Sequence, residues 1–239
     1  MMTDDESIAG DSCNRLQTLR NQLLSHESAL SSGVGSEIEN RGGGYHILHF
    51  RSGERECVVE AGEELIHAAF VWGNHPLFAS QFETAESLAT LLRRWVADQA
   101  MPSVIHTEYP SLEIDPLADY YERGVPLEGE FMRSWDGIEV FYREDGGDYF
   151  ESARAFIRDM REAGYDRVLR AGQSMSIMGI SRSREQGLRD DQPKLWFEFN
   201  GTSMNVDANF GSGGLKNHPI LLTPEVRQLL DALAELKLE

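Results

Sequence analysis

The segment that most constrains this chain is Lys194 to Phe210, where two runs of alternating apolar and polar residues, Lys194 to Asn200 and Thr202 to Phe210, flank Asn200-Gly201. That dipeptide suits a two-residue hairpin turn, because both residues tolerate the positive φ such turns require. With Asn200 and Gly201 as the central residues, Phe197 faces Met204 and Leu195 faces Val206 on one side of the sheet. Trp196 then faces Asn205 and Lys194 faces Asp207 on the other. Apolar meets apolar and Lys meets Asp, whereas a one-residue slip mixes the two faces. Ser174 to Ser181 supplies a third strand, joined by the polar loop Arg182 to Gln192. Thr223 and Pro224, as N-cap and first helical residue, open a final helix with Val226, Leu229, Leu230 and Leu233 turned inward.

Towards the N-terminus, Asp11 or Ser12 is the expected cap of a first helix, with Leu16, Leu19 and Leu23 at helical spacing until Ser31-Ser32-Gly33. After Gly42-Gly43-Gly44 come two strand candidates, Tyr45 to Phe50 and Glu56 to Glu60, joined by Arg51 to Arg55, and Leu65 to Trp72 reads as a third. Thr84 caps a helix striped by Leu88, Leu91, Leu92 and Trp95, and Pro102 ends that helical region. A short helix is expected at Leu117 to Glu122. The alternation of Ile138, Val140 and Tyr142 favours a strand within Phe131 to Glu144. Asp145 to Asp148 supplies turn and cap residues for a helix buried through Tyr149, Ala153, Phe156, Ile157 and Met160 and stopped by Gly164.

Each half thus reads as a small, mainly antiparallel sheet covered by helices. The fold class is α+β rather than the βαβ alternation of a nucleotide-binding sheet. Pro110, Pro116 and Pro126 with many acids place a linker or domain boundary near Gly124 to Gly129, giving sub-domains 1–125 and 126–239. No internal repeat relates them.

The formal charge of -18 over 239 residues argues against a nucleic-acid partner, since phosphate contacts need a clustered basic surface. It favours a basic protein partner instead. Twelve acids against three bases between Ser111 and Glu151 carry half of the net charge. No run approaches the ~20 apolar residues of a membrane span. Met1 to Asp11 is acidic where a secretory signal is basic and then apolar, so a cytoplasmic location and no membrane partner are expected. Cys13 and Cys57 offer neither a disulfide framework nor paired zinc spacing and read as structural thiols.

The candidate chemistries each meet a plainer reading. Gly172-Gln173-Ser174-Met175-Ser176 approaches the serine nucleophile elbow, but the last Gly is Ser and the segment leads into a strand instead of a helix, so no catalytic residue is assigned. Gly211 to Lys216 lacks the phosphate-loop spacing and reads as a flexible connector. His46, His49, Cys57, His67 and His75 invite a metal, yet His46 and His49 point to opposite faces of a strand. Cys57 is able to sit across from His49 only in some hairpin registers, so no metal and no cofactor are assigned. The carboxylates from Glu113 to Glu151 are the residue type that glycoside hydrolysis or divalent cations use, but Glu144-Asp145-Gly146-Gly147-Asp148 does not match a calcium loop, and Asp148 is explained as a helix cap.

The more suggestive feature is Trp196 on the polar face of the hairpin, beside Lys194, Glu198, Asn205 and Asp207, since an exposed Trp among polar groups is typical of an interaction hot spot. The plainer alternative is that a helix covers this face and Trp196 belongs to the core. From Ile38 to Leu112, the Arg41-Gly42-Gly43 lead, the two short strands and the Thr84 to Trp95 helix before Pro110 are similar to small bacterial α+β domains of uncharacterised function, including immunity-type proteins that neutralise toxins. The resemblance covers about a third of the chain and transfers no catalytic residue. Nineteen Arg against three Lys point to a GC-rich genome rather than to a function. The expectation is a non-enzymatic, acidic protein-binding module, immunity-like or accessory. The alternative is an enzyme or small-molecule receptor with a site between the halves. Self-association is compatible with either.

Overall fold

The computed structural model describes residues 4–26, 30, 33–43, 45–144, 150–174, 177–184, 191–211 and 213–238. The chain forms two compact units, Met1–Glu122 and Arg123–Glu239, and each carries its own sheet and buried cluster. The fold is α+β with antiparallel sheets, and no helix among the described residues is long and apolar enough to cross a membrane.

In the first unit, helix α1 (Asp4–His26) precedes five strands: β1 (Gly35–Gly42), β2 (Tyr45–Ser52), β3 (Arg55–Ala61), β4 (Ile66–Trp72) and β5 (His75–Phe82). They pair in chain order as an antiparallel meander. Helix α2 (Ala85–Leu92) runs into a π-helical turn at Arg93–Ala97, and α3 (Pro102–Glu108) and α4 (Leu117–Glu122) complete the unit. Period-two alternation sends Leu48, Phe50, Cys57, Val59, Ala68 and Phe70 inward, against Leu16, Leu19 and Leu23 of α1 and Leu88, Leu91 and Leu92 of α2. Thr84 caps α2 as expected, accepting a bond from the Ser87 N–H. Asp11 and Ser12, by contrast, lie inside α1 rather than capping it. Pro102 begins α3 instead of closing the previous helix, because its missing N–H costs nothing at a first helical position.

At the end of this core, the Trp95 indole donates to the Glu56 and Val71 carbonyls at 2.9 and 3.2 Å. The Arg55 guanidinium sits in the corner between two steeply inclined indoles, 3.4 Å from the Trp72 ring centroid and 3.9 Å from that of Trp95.

The second unit opens with α5 (Pro126–Glu144) and α6 (Glu151–Glu162), followed by strands β6 (Arg170–Ser174), β7 (Ile177–Ser181), β8 (Lys194–Asn200), β9 (Ser203–Ala208) and β10 (Leu215–Pro219), and closes with α7 (Pro224–Ala234). The five strands again pair antiparallel in chain order. Two expectations change at α5. The units divide at Glu122/Arg123, beside the expected boundary, but Pro126 starts a helix instead of lying in a linker, and Phe131 to Glu144 is helical rather than a strand. Phe131, Trp135, Ile138 and Tyr142, spaced four, three and four apart, form its buried stripe, while Val140 is exposed. Gly164 stops the α6 region with a φ of 86°. The expected cap at Asp145 to Asp148 and the buried Tyr149 lie outside the described residues.

The β8–β9 hairpin keeps its two faces but not its register. Asn200 pairs with Ser203, so Gly201 and Thr202 form the turn; Phe197 faces Val206, Phe199 faces Met204, and Trp196 faces Asp207 rather than Asn205. Gly201 has a φ of 68° and is the single turn residue of positive φ, the II′ pattern with Gly first, so Asn200 is freed to close the ladder. The displacement is two residues, an even number, which leaves Leu195, Phe197, Met204 and Val206 in the core. The glycine segment before β10 is also more than a connector: a Cβ on Gly214 would lie 1.9 Å from the Val206 carbonyl oxygen, a closeness that only glycine permits.

Candidate functional site

On the outer face of the second sheet, none of the side chains of Trp196, Glu198, Asn205 and Asp207 joins the buried cluster. Trp196 is half-buried, between Gly179 on β7 and Asp207 on β9. Gly172 follows Gly179 in the same cross-strand rank, so neither position towards β6 places a side chain beside the indole. Among the described residues the indole nitrogen has no hydrogen-bond partner. Around it, Asn205 donates to Glu198 at 2.9 Å and accepts from the Asn217 N–H at 3.1 Å, and the Lys216 ammonium meets Asp207 at 2.6 Å.

Lys194 behaves differently from the other four. It is only 4 % exposed, and its Nζ lies 4.9 Å from the Trp196 ring centroid. The expected Lys194–Asp207 pair is replaced by Lys216–Asp207, a consequence of the shifted register. Lys194 belongs to a buried polar end of the face, where Gln192 donates to Ser183 at 3.1 Å, Arg170 donates to the Ser183 carbonyl at 3.0 Å, and Asn209 accepts from the Lys194 N–H at 2.8 Å. Beside it, the fully buried Glu130 carboxylate accepts a two-pronged bond from Arg184 at 3.0 and 3.2 Å.

Several carboxylates of the acid-rich stretch from Ser111 to Glu151 are engaged locally. Asp115 accepts from the Leu117 N–H at the start of α4, and Glu122 accepts from the Ser103 N–H at the start of α3. Asp136 and Glu139 share Arg161 at 2.8 and 3.0 Å. The imbalance is larger at the scale of the units: Met1–Glu122 holds twenty acids against seven bases, net -13, and Arg123–Glu239 twenty against fifteen, net -5.

The first sheet also has a face turned away from its buried cluster, which sequence reasoning did not single out. Its outward residues form cross-strand ranks: Glu37, His49, Val58, Ala69 and Ala79 in one, and Glu60, His67 and Gln81 in the next. A cavity of about 290 Å³ lies over β3 to β5, lined by Val58, Glu60, His67, Ala69, Ala79 and Gln81. At its margin His49 is buried between two carboxylates: Nδ1 lies 2.5 Å from Glu56 Oε1, and Nε2 lies 3.0 Å from Glu39 Oε2 without the alignment of a hydrogen bond. Arg51 also donates to Glu56, at 2.7 Å. Glu60 accepts the Tyr45 hydroxyl, and that bond, with burial and the carboxylate charge, pushes the Tyr45 pKa up to about 12. The available signal was the period-two placing of Glu37 and Glu39, His49 and Arg51, and Glu56 and Glu60 on adjacent strands.

The metal hypothesis for the histidines loses its thiol. Cys57 pairs with Phe50 and points into the core, where burial pushes its pKa well up, while His49 faces outward opposite Val58. Among the described residues no group of three or more His, Cys, Asp or Glu is placed to hold a metal. Ser174 ends a strand that pairs with β7, so the strand-to-helix turn of a nucleophile elbow is not formed. No family model, curated protein or solved structure matches this chain.

Proposed function

We propose that the chain is a non-enzymatic protein-binding module that engages a basic partner, using the Trp196 face of its second sheet and the acidic surface of the molecule. The observation that carries this reading is Trp196 itself: a half-buried indole on a face outside the core, with no partner for its N–H among the described residues, glycines rather than side chains beside it in its cross-strand rank, and a polar rim of Glu198, Asn205, Asp207 and Lys216. A large amphipathic ring able both to bury area and to donate one bond is the side chain that dominates protein interfaces, and a rim of charges sets partner choice and encounter rate.

The test is a quantitative affinity capture from native cell lysate, comparing wild type with Trp196→Ala and with a variant whose acids between Glu113 and Asp148 are neutralised. A stoichiometric partner is expected with wild type, released by moderate salt and lost from Trp196→Ala, while the variant keeps the wild-type unfolding midpoint. Salt-insensitive capture that ignores the Trp196 substitution removes the basis of the proposal.

A further inference from the structure

We propose that the outward face of the first sheet seats a lysine or arginine side chain of a basic protein segment, in a trough floored by Val58, Ala69 and Ala79. This rests on the protein-binding reading above and names the chemistry of the contact on a different surface.

The trough follows from side-chain size along one cross-strand rank. Val58, Ala69 and Ala79 stand side by side on β3, β4 and β5, and their small side chains leave the sheet low between taller neighbours. Three strands at a spacing of ~4.8 Å make a floor ~10 Å across, enough for the extended stem of a long cationic side chain. β5 is an edge strand, so the trough opens at Ala79 to the side of the sheet. At its other end the rank passes from Val58 to the buried His49, and Glu56 and Glu60 flank Val58 as the neighbouring outward residues of β3. His67 and Gln81 form one wall.

An apolar floor leading to a carboxylate matches an amphipathic cation, whose methylene stem is buried while its charged head is paired. The two carboxylates differ in what they offer. Glu56 is already held by His49 and Arg51. Glu60 receives only the Tyr45 hydroxyl and has no cationic partner among the described residues, and a carboxylate with one donor retains acceptor sites for a guanidinium fork or an ammonium. The net charge of -13 on this unit selects the same sign of partner over its surroundings.

The test uses the full chain with labelled methyl groups, titrated with acetylated tetra-arginine amide and, as control, acetylated tetra-glutamate amide, and followed by NMR. Tetra-arginine is expected to shift the Val58, Ala69 and Ala79 methyls saturably, and tetra-glutamate to leave them in place. Glu60→Gln is expected to weaken the saturable shift about fivefold, the scale of one exposed charge pair. Ala79→Phe, on an exposed position that leaves the core intact, is expected to block the mouth and abolish it. Shifts confined to the Trp196 face overturn the trough while leaving the binding-module reading standing. Absent shifts, or shifts equal in wild type and both variants, overturn the trough as well, and the lysate capture judges the broader reading separately.

Discussion

Replacing Arg55 with methionine is expected to leave the first unit about as stable as before, although the substitution removes a buried cation held against two tryptophans. Arg55 is 3 % exposed, and among the described residues its Nη1 has no hydrogen-bond partner. Burial pulls its pKa from the ordinary 12.5 down to about 10, against the opposing pull of Glu122 and Glu54. At 1.36 kcal/mol per pK unit this amounts to roughly 3 kcal/mol against the charge. Two cation–π contacts in a largely dry corner return ~1–2 kcal/mol each. The two effects nearly cancel, so the charge itself contributes little and the bulk of the side chain contributes most. Methionine keeps that bulk and lays a polarisable sulfur against the same rings. Arg55→Met is therefore expected within about 1 kcal/mol of wild type, and Arg55→Ala, which leaves a cavity under Trp72 and Trp95, to cost about 2–4 kcal/mol. Urea unfolding followed by tryptophan fluorescence and by far-ultraviolet circular dichroism measures both. If Met costs as much as Ala, the guanidinium and not its volume holds the corner, and burial and cation–π attraction do not cancel.

Tyr45 is expected to ionise late in an ultraviolet absorbance titration, near the value of about 12 set by Glu60, and to move back towards 10 in Glu60→Gln. Because the folded value lies above the unfolded one, the stabilisation from this bond is complete below pH 10 and lost as the pH rises towards 12. Of the two thiols, half-buried Cys13 is expected to react with a disulfide reagent in the native state, and Cys57, fully buried and with its pKa pushed up, only after unfolding. Trp135→Phe strips the Leu169 carbonyl of its 2.8 Å indole bond inside the core and is expected to cost about 2–4 kcal/mol, read from the urea midpoint.

Where local pattern and burial agree, the sequence was a sufficient guide. The α2 stripe, the Thr84 cap, α4 and the inward set of β8 and β9 all follow from apolar spacing with a cap or turn beside it. It misled at α5 because Ile138, Val140 and Tyr142 mimic a strand when viewed without Phe131 and Trp135. β1 was missed because, as an edge strand with Ile38 its single large apolar residue, it carries little hydrophobic signal. β5 was missed although Gly73-Asn74, which turns the chain between Trp72 and His75, is a hairpin signal of the expected kind. The five residues singled out around Trp196 do share one face, but which of them reaches solvent depends on the register and on the buried polar end that absorbs Lys194. Both are tertiary outcomes. The trough in the first sheet was illegible for a related reason: alanines flag nothing in a sequence, and only pairing places Ala69 and Ala79 in one rank.

The chain-order meander of β1 to β5 has a kinetic consequence. Every strand pairs with the strand next to it in sequence, so no pairing waits for a distant segment, and the entropy of closing each short loop is small. During synthesis the whole ladder from Gly35 to Phe82 can zip hairpin by hairpin before Arg123 has been added. The growing chain thereby shelters its exposed strand edges early, and an acidic nascent chain repels its own copies on neighbouring ribosomes while it does so.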